Sequence, residues 1–187
     1  MNLSRRILLP LLALAVVGLA LPASATVARF LSLEEHVALS QLVVRARAAG
    51  ARNFVSEKDG RPRTERFFKI LETYKGSVPA GGEIAVRQMR GVQGEGVLRI
   101  PGDPELSEGE EAVLFLTVDE NGVAYLTALA QSKYIVTRDV TGAWASRDLT
   151  GLAFTFAEGG RVVEAVKESP IALELLAKSI RAITEKN

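Results

Sequence analysis

Apolar residues along this chain recur mostly at every second position, in short runs broken by glycine-bearing turns, which is the pattern of strands rather than helices. Leu42, Val44 and Ala46 alternate with Val43, Arg45 and Arg47, and the alternation predicts a half-exposed strand. Asn53 to Glu57 predicts another, leading into Lys58-Asp59-Gly60-Arg61-Pro62, whose Asp-Gly pair favours a tight turn. Arg63 to Tyr74 returns with apolar residues in both phases, Phe67 and Leu71 against Phe68, Ile70 and Tyr74. That double phase predicts a bulge or burial of both faces. Ile84 and Val86 mark the next strand. Ala112 to Val118 is a nearly continuous apolar run and predicts a central strand covered on both sides. Asp119-Glu120-Asn121-Gly122 supplies a hairpin turn, and Val123 to Leu129 returns from it. Tyr134 to Arg138, Phe154 with Phe156, and Arg161 to Val166 extend the series to between seven and nine short strands.

Helical periodicity appears only at the two ends. Ser32 and Glu35 stand in capping-box spacing ahead of Leu33 and Val37, and the helix is expected to end near Ser40. At the C-terminus Ser169 is placed to cap a helix with Pro170 at its first position. Ile171, Leu175, Leu176, Ile180 and Ile183 form its expected apolar stripe. Alternating strand and helix units are absent, which argues against a doubly wound parallel sheet. The expected fold is mainly β. It is a small OB-like barrel with a short N-terminal helix and a C-terminal amphipathic helix, with a two-sheet β-sandwich as the alternative.

The first 25 residues change the picture of the chain's address. Arg5 and Arg6 precede the apolar run Ile7 to Leu21, and Ala23-Ser24-Ala25 offers small residues for cleavage. The run falls short of the ~20 residues that a spanning helix needs. Residues 1–25 are therefore expected to be a signal peptide and residues 26–187 a single mainly-β domain, periplasmic or secreted, with no membrane span after cleavage. Two of the 23 basic residues and none of the 22 acidic ones lie in that leader. The remainder carries 21 against 22, a net charge of −1, which gives no bulk attraction for nucleic acid. The absence of cysteine excludes disulfides, thiol catalysis and thiolate metal sites. The fold must then be held by its core alone.

Candidate chemistry is thin. His36 is the sole histidine and has no spaced carboxylate partners, so it reads as a solvated or partly buried helix residue. No serine sits in a Gly-x-Ser-x-Gly elbow. Asp103, Glu105, Glu108, Glu110 and Glu111 cluster in a loop, as calcium or a paired-carboxylate hydrolase would require, yet without EF-hand spacing. Gly91-Val92-Gln93-Gly94-Glu95-Gly96 lacks the Lys-Ser/Thr ending of a phosphate loop, and no helix pattern follows it. Nine arginines, at 45, 47, 52, 61, 63, 66, 87, 90 and 99, crowd the first half of the domain, where they protect strand edges or line a groove for an acidic polymer.

Three segments carry a resemblance: Leu42-Val43-Val44-Arg45-Ala46-Arg47, Phe68-Lys69-Ile70-Leu71-Glu72-Thr73-Tyr74-Lys75-Gly76, and Gly109-Glu110-Glu111-Ala112-Val113-Leu114-Phe115-Leu116. Their order resembles uncharacterised exported bacterial proteins distantly similar to netrin-like barrels, the group that includes tissue inhibitors of metalloproteinases. The resemblance covers roughly Leu42 to Tyr134 and implies the barrel. In those inhibitors an N-terminal cysteine chelates the protease zinc, whereas here the expected mature terminus is Thr26, so the inhibitory mechanism is not implied. The expected function is an exported, non-enzymatic binding or interaction module without cofactor. Its partner would be a cell-envelope or extracellular protein. A protease inhibitor or accessory factor is the alternative, and a hydrolase using acidic residues ranks below both. Its adaptable surface is expected at Gly81 to Glu111, with Arg87, Arg90, Gly91, Gly94, Asp103 and Glu110 as candidate binding residues.

Overall fold

The computed structural model describes residues 26–79, 81–94, 96–155, 162–164 and 168–186. The expected leader and Phe156 lie outside them. In chain order the strands are β1 (Thr26–Arg29), β2 (Leu42–Val55), β3 (Pro62–Lys75), β4 (Glu83–Gln88), β5 (Gly91–Gln93), β6 (Gly96–Leu98) and β7 (Glu111–Val118). They continue with β8 (Ala124–Leu126), β9 (Lys133–Asp139), β10 (Gly142–Ser146), β11 (Leu152–Thr155), β12 (Val162–Glu164) and β13 (Ile171–Ala172). The α-helices are α1 (Leu33–Leu39) and α2 (Leu173–Lys186).

Five strands close into a barrel, and closure leaves them no free edge. Pairing runs β2–β3–β4–β8–β7 and back to β2. The β4–β8 seam is parallel through Val86 and Ala124, and the other four are antiparallel. β7 feeds two partners on its second edge. Its end, Leu116 to Val118, pairs β8, while its start, Ala112 to Leu114, pairs β9. From β9 the sheet runs on outside the barrel through β10 to β13.

Strand alternation divides the core in two. Leu42, Val44, Ala46, Phe68, Ile70, Val86, Leu114 and Leu116 fill the barrel, together with Leu106 from the long loop. The opposite faces of the same strands, through Val43, Tyr74, Val113 and Phe115, pack against Tyr134, Val136 and Ala145 and against both helices. β7 is thus buried on both sides, as its unbroken apolar run predicts. Full burial of each such leucine, isoleucine or phenylalanine contributes ~1.5–3 kcal/mol, so a disulfide-free domain of this size has enough core. A third cluster of Ala130, Leu149, Leu152 and Phe154 lies under the small sheet β1–β11–β12.

The predicted cap of α1 is present. Ser32 Oγ accepts from the Glu35 amide at 3.2 Å, and Glu35 accepts from the Ser32 amide at 2.9 Å. Two expectations need correction. The segments at 42–47 and 53–57 are not separate strands: β2 runs through Gly50, where the register with β3 slips. A bulge of this kind inverts the in–out alternation, which made one strand look like two. The C-terminal helix starts at Leu173, because Ile171 and Ala172 are extended and pair with Ala145 and Trp144. Its buried residues are Leu173, Leu176, Ala177 and Ile180, spaced as one helical face, and Leu175 is left 53% exposed on the other.

Candidate functional site

Because the bulge at Gly50 resets the alternation, Ala51 and Asn53 share the face that Ala46 and Ala48 occupy earlier in β2. Across the hairpin Thr64 pairs Asn53 and Arg66 pairs Ala51, in phase with the interior residues Phe68 and Ile70. On β4, Gln88 is in phase with interior Val86. The inward-facing residues thus change from apolar to polar toward one end of the barrel. The β5–β6 hairpin leans over that end and encloses a cleft of about 190 Å³. Arg66, Gln88, Arg90, Asn53 and Thr64 line it beside Gly91, Val92, Val97 and Leu98, with buried Leu106 at the barrel side.

Charge sets this cleft apart. The Arg66 side chain makes no ion pair or hydrogen bond among the described residues, and its Nε is buried. Arg90 likewise forms no ion pair within 4 Å among the described residues, and Asp103 is the acid that feels its field. Glu105 is an exposed acid on the same cleft. Most of the other guanidiniums are paired with acids. Glu111 is 6% exposed and accepts from Arg45, Arg47 and Arg138 at 2.8–3.0 Å. Burial pushes its pKa up, but the hydrogen bonds from Arg138, Arg47 and Arg45 prevail and hold it at about 2. Glu65 takes Arg52 and Arg87 in the same way, and both guanidiniums lie over the Phe54 ring. A half-buried arginine without an acid is therefore the exception, and burial of an unsatisfied charged donor is costly.

The six candidate binding residues separate into four places. Arg90 and Gly91 line the mouth cleft. Gly91 fits because a Cβ there would lie 2.6 Å from the Arg63 nitrogen and 2.7 Å from the Pro62 carbonyl carbon. Asp103 and Glu110 line a second cleft of about 280 Å³ with Glu105, Lys133 and Asp148. Arg87 lies in the Glu65 cluster, and Gly94 sits exposed at the hairpin tip with φ +58°. Arg66 was legible only as one of nine scattered arginines. Its place in the phase of Phe68 and Ile70 was the signal that it points inward.

The acidic loop does not converge. Glu111 belongs to its arginines, and Glu110 Oε1 stands 2.7 Å from Lys133 Nζ. Asp103 accepts from Gln88 Nε2 at 3.1 Å through Oδ1, while its Oδ2 is buried and unpartnered among the described residues. Burial is the main cause of its raised pKa. Among the described residues no three such side chains are grouped to hold a metal ion. The glycine-rich stretch at 91–96 forms the β5–β6 hairpin rather than a phosphate loop.

His36 is fully buried, contrary to the solvated or partly buried reading. Its Nε2 lies 3.1 Å from Ser132 Oγ, a nucleophile–base distance, but Ser132 is also fully buried and its Oγ accepts the Ala128 amide. Phe115 packs on the ring at 5.1 Å, and no substrate reaches the pair. The arrangement is structural.

No protein-family model matches the chain, and no curated protein matches it.

Proposed function

We propose that this protein is an exported, non-enzymatic binding module that recognises an anionic group on its partner at the mouth of its barrel. The observation that carries this reading is the pair Arg66 and Arg90, two guanidiniums on one cleft that form no ion pair among the described residues. Guanidinium forks select carboxylate and phosphate oxygens, and a ligand's oxygens would satisfy the buried Nε. A rigid barrel with a hairpin over its mouth is the usual division between scaffold and recognition loop. The strand order, with the fifth strand inserted between third and fourth, supports a barrel of the oligonucleotide- and oligosaccharide-binding type. Residues 1–25 support export to the periplasm or medium, where the partner would be an envelope or extracellular protein.

The test is in-cell cross-linking of the tagged protein, followed by mass spectrometry of what it captures. A companion held by wild type and lost in an R66M/R90Q double variant supports the reading. A companion held equally by both places recognition elsewhere and sinks it.

A further inference from the structure

The mouth cleft carries features beyond its two cations, and they narrow the ligand within the reading just given. β5 and β6 form their own two-stranded sheet, and the outer edge of β6 has no strand partner among the described residues. An unpaired edge of this kind accepts an added strand. Val92 and Val97 face each other across the hairpin, both exposed, and line the cleft together with Leu98. The site therefore joins a cationic end, an apolar wall and a free backbone ladder. The volume of about 190 Å³ lies below that of drug-sized ligand pockets, and a phosphate alone would leave the valine wall uncovered.

We infer that the cleft captures the free C-terminal carboxylate of a polypeptide ending in an aliphatic residue. The carboxylate sits between Arg66 and Arg90, and the last side chain lies against Val92, Val97 and Leu98. The preceding backbone adds to the edge of β6, so main-chain hydrogen bonds give affinity and the carboxylate fixes the register. Gly91 holds the hairpin in place for this, since the Arg63 and Pro62 backbone leaves no room for a side chain there.

The experiment is an NMR titration of the full chain, purified as it accumulates in a bacterial host and labelled with ¹⁵N. The probes are N-acetyl-Ala-Ala-Val with a free carboxylate, its C-terminal amide, sodium acetate and sodium phosphate. The expected result is that the free acid shifts the Arg66 Nε–H and the Val97 and Leu98 amides. It should bind at least tenfold more tightly than the amide, acetate or phosphate. R66M should weaken it at least tenfold with circular dichroism unchanged, and R90Q serves in its place if R66M does not fold. Equal binding of acid and amide overturns carboxylate capture. Acetate or phosphate binding as tightly as the peptide acid overturns the polypeptide terminus but leaves an anion-binding mouth. If no probe moves the Arg66 Nε–H, the inference and the reading beneath it both fail.

Discussion

Lowering the pH from 7 to 5 should weaken this protein through a single imidazole. His36 is the sole histidine, it is fully buried, and its Nδ1 has no hydrogen-bond partner among the described residues. Burial, reinforced by the nearby Arg147 guanidinium and only partly offset by Glu35, lowers its pKa from an ordinary 6.5 to about 4. The folded state thus binds this proton less readily than the unfolded chain. Stability is complete above pH 6.5 and falls as pH drops toward 4. With those two pKa values the linkage relation gives a loss of about 2 kcal/mol between pH 7 and pH 5, at up to ~1.4 kcal/mol per pH unit. Ordinary carboxylates titrate mostly below this window, and comparison with a His36 variant subtracts the rest, including Asp103 with its raised pKa. Urea unfolding followed by the fluorescence of Trp144, the sole tryptophan, measures the slope. His36→Gln keeps an amide in reach of Ser132 but does not titrate, and its stability should be flat across the window. A wild type without slope, or a variant with the same slope, refutes the argument that burial holds the ring neutral.

Other substitutions test the remaining clusters. Glu111→Gln should cost about 2–3 kcal/mol at pH 7, below the full value of a buried pair because Arg47 and Arg138 are about half exposed. Its carboxylate pKa is held at about 2, so that contribution is complete above the ordinary carboxylate range and is lost as pH falls toward 2. The gap between wild type and variant should close over that acid range in urea melts. Gly91→Ala forces a Cβ onto the β3 backbone and should cost ~1–3 kcal/mol while lifting the hairpin, read as a joint loss of stability and of anion binding. Arg66→Met removes the unpartnered Nε and should leave stability unchanged or raise it by ~0.5–1 kcal/mol in the same melts. A marked destabilisation would show that Arg66 serves the fold as well, and the ligand test would then rest on R90Q.

The sequence by itself determined what depends on near neighbours. Alternation marked most strands, the Ser32–Glu35 spacing fixed the start of α1, and the unbroken run before Val118 identified a strand buried on both faces. Arg90 and Gly91 were singled out from a glycine-rich stretch, which is a local feature, and both line the mouth cleft. What stayed hidden depends on residues far apart in the chain. The slip at Gly50 reads as a break until β3 lies alongside, and only then do Ala51 and Asn53 turn inward with Thr64 and Arg66. The extension at Ile171 exists because β10 offers it a ladder, against the local preference for helix. His36 is buried by Phe115 and Ser132 from distant segments, which its own amphipathic turn does not encode. Most decisive is the pairing of charge: nine arginines look equivalent in sequence, and only the closed barrel gives Arg45, Arg47, Arg52 and Arg87 their glutamates while leaving Arg66 and Arg90 on one cleft without an ion pair among the described residues. Ion pairs act over a few ångströms between strands, so tertiary structure alone decided which of these cations are paired.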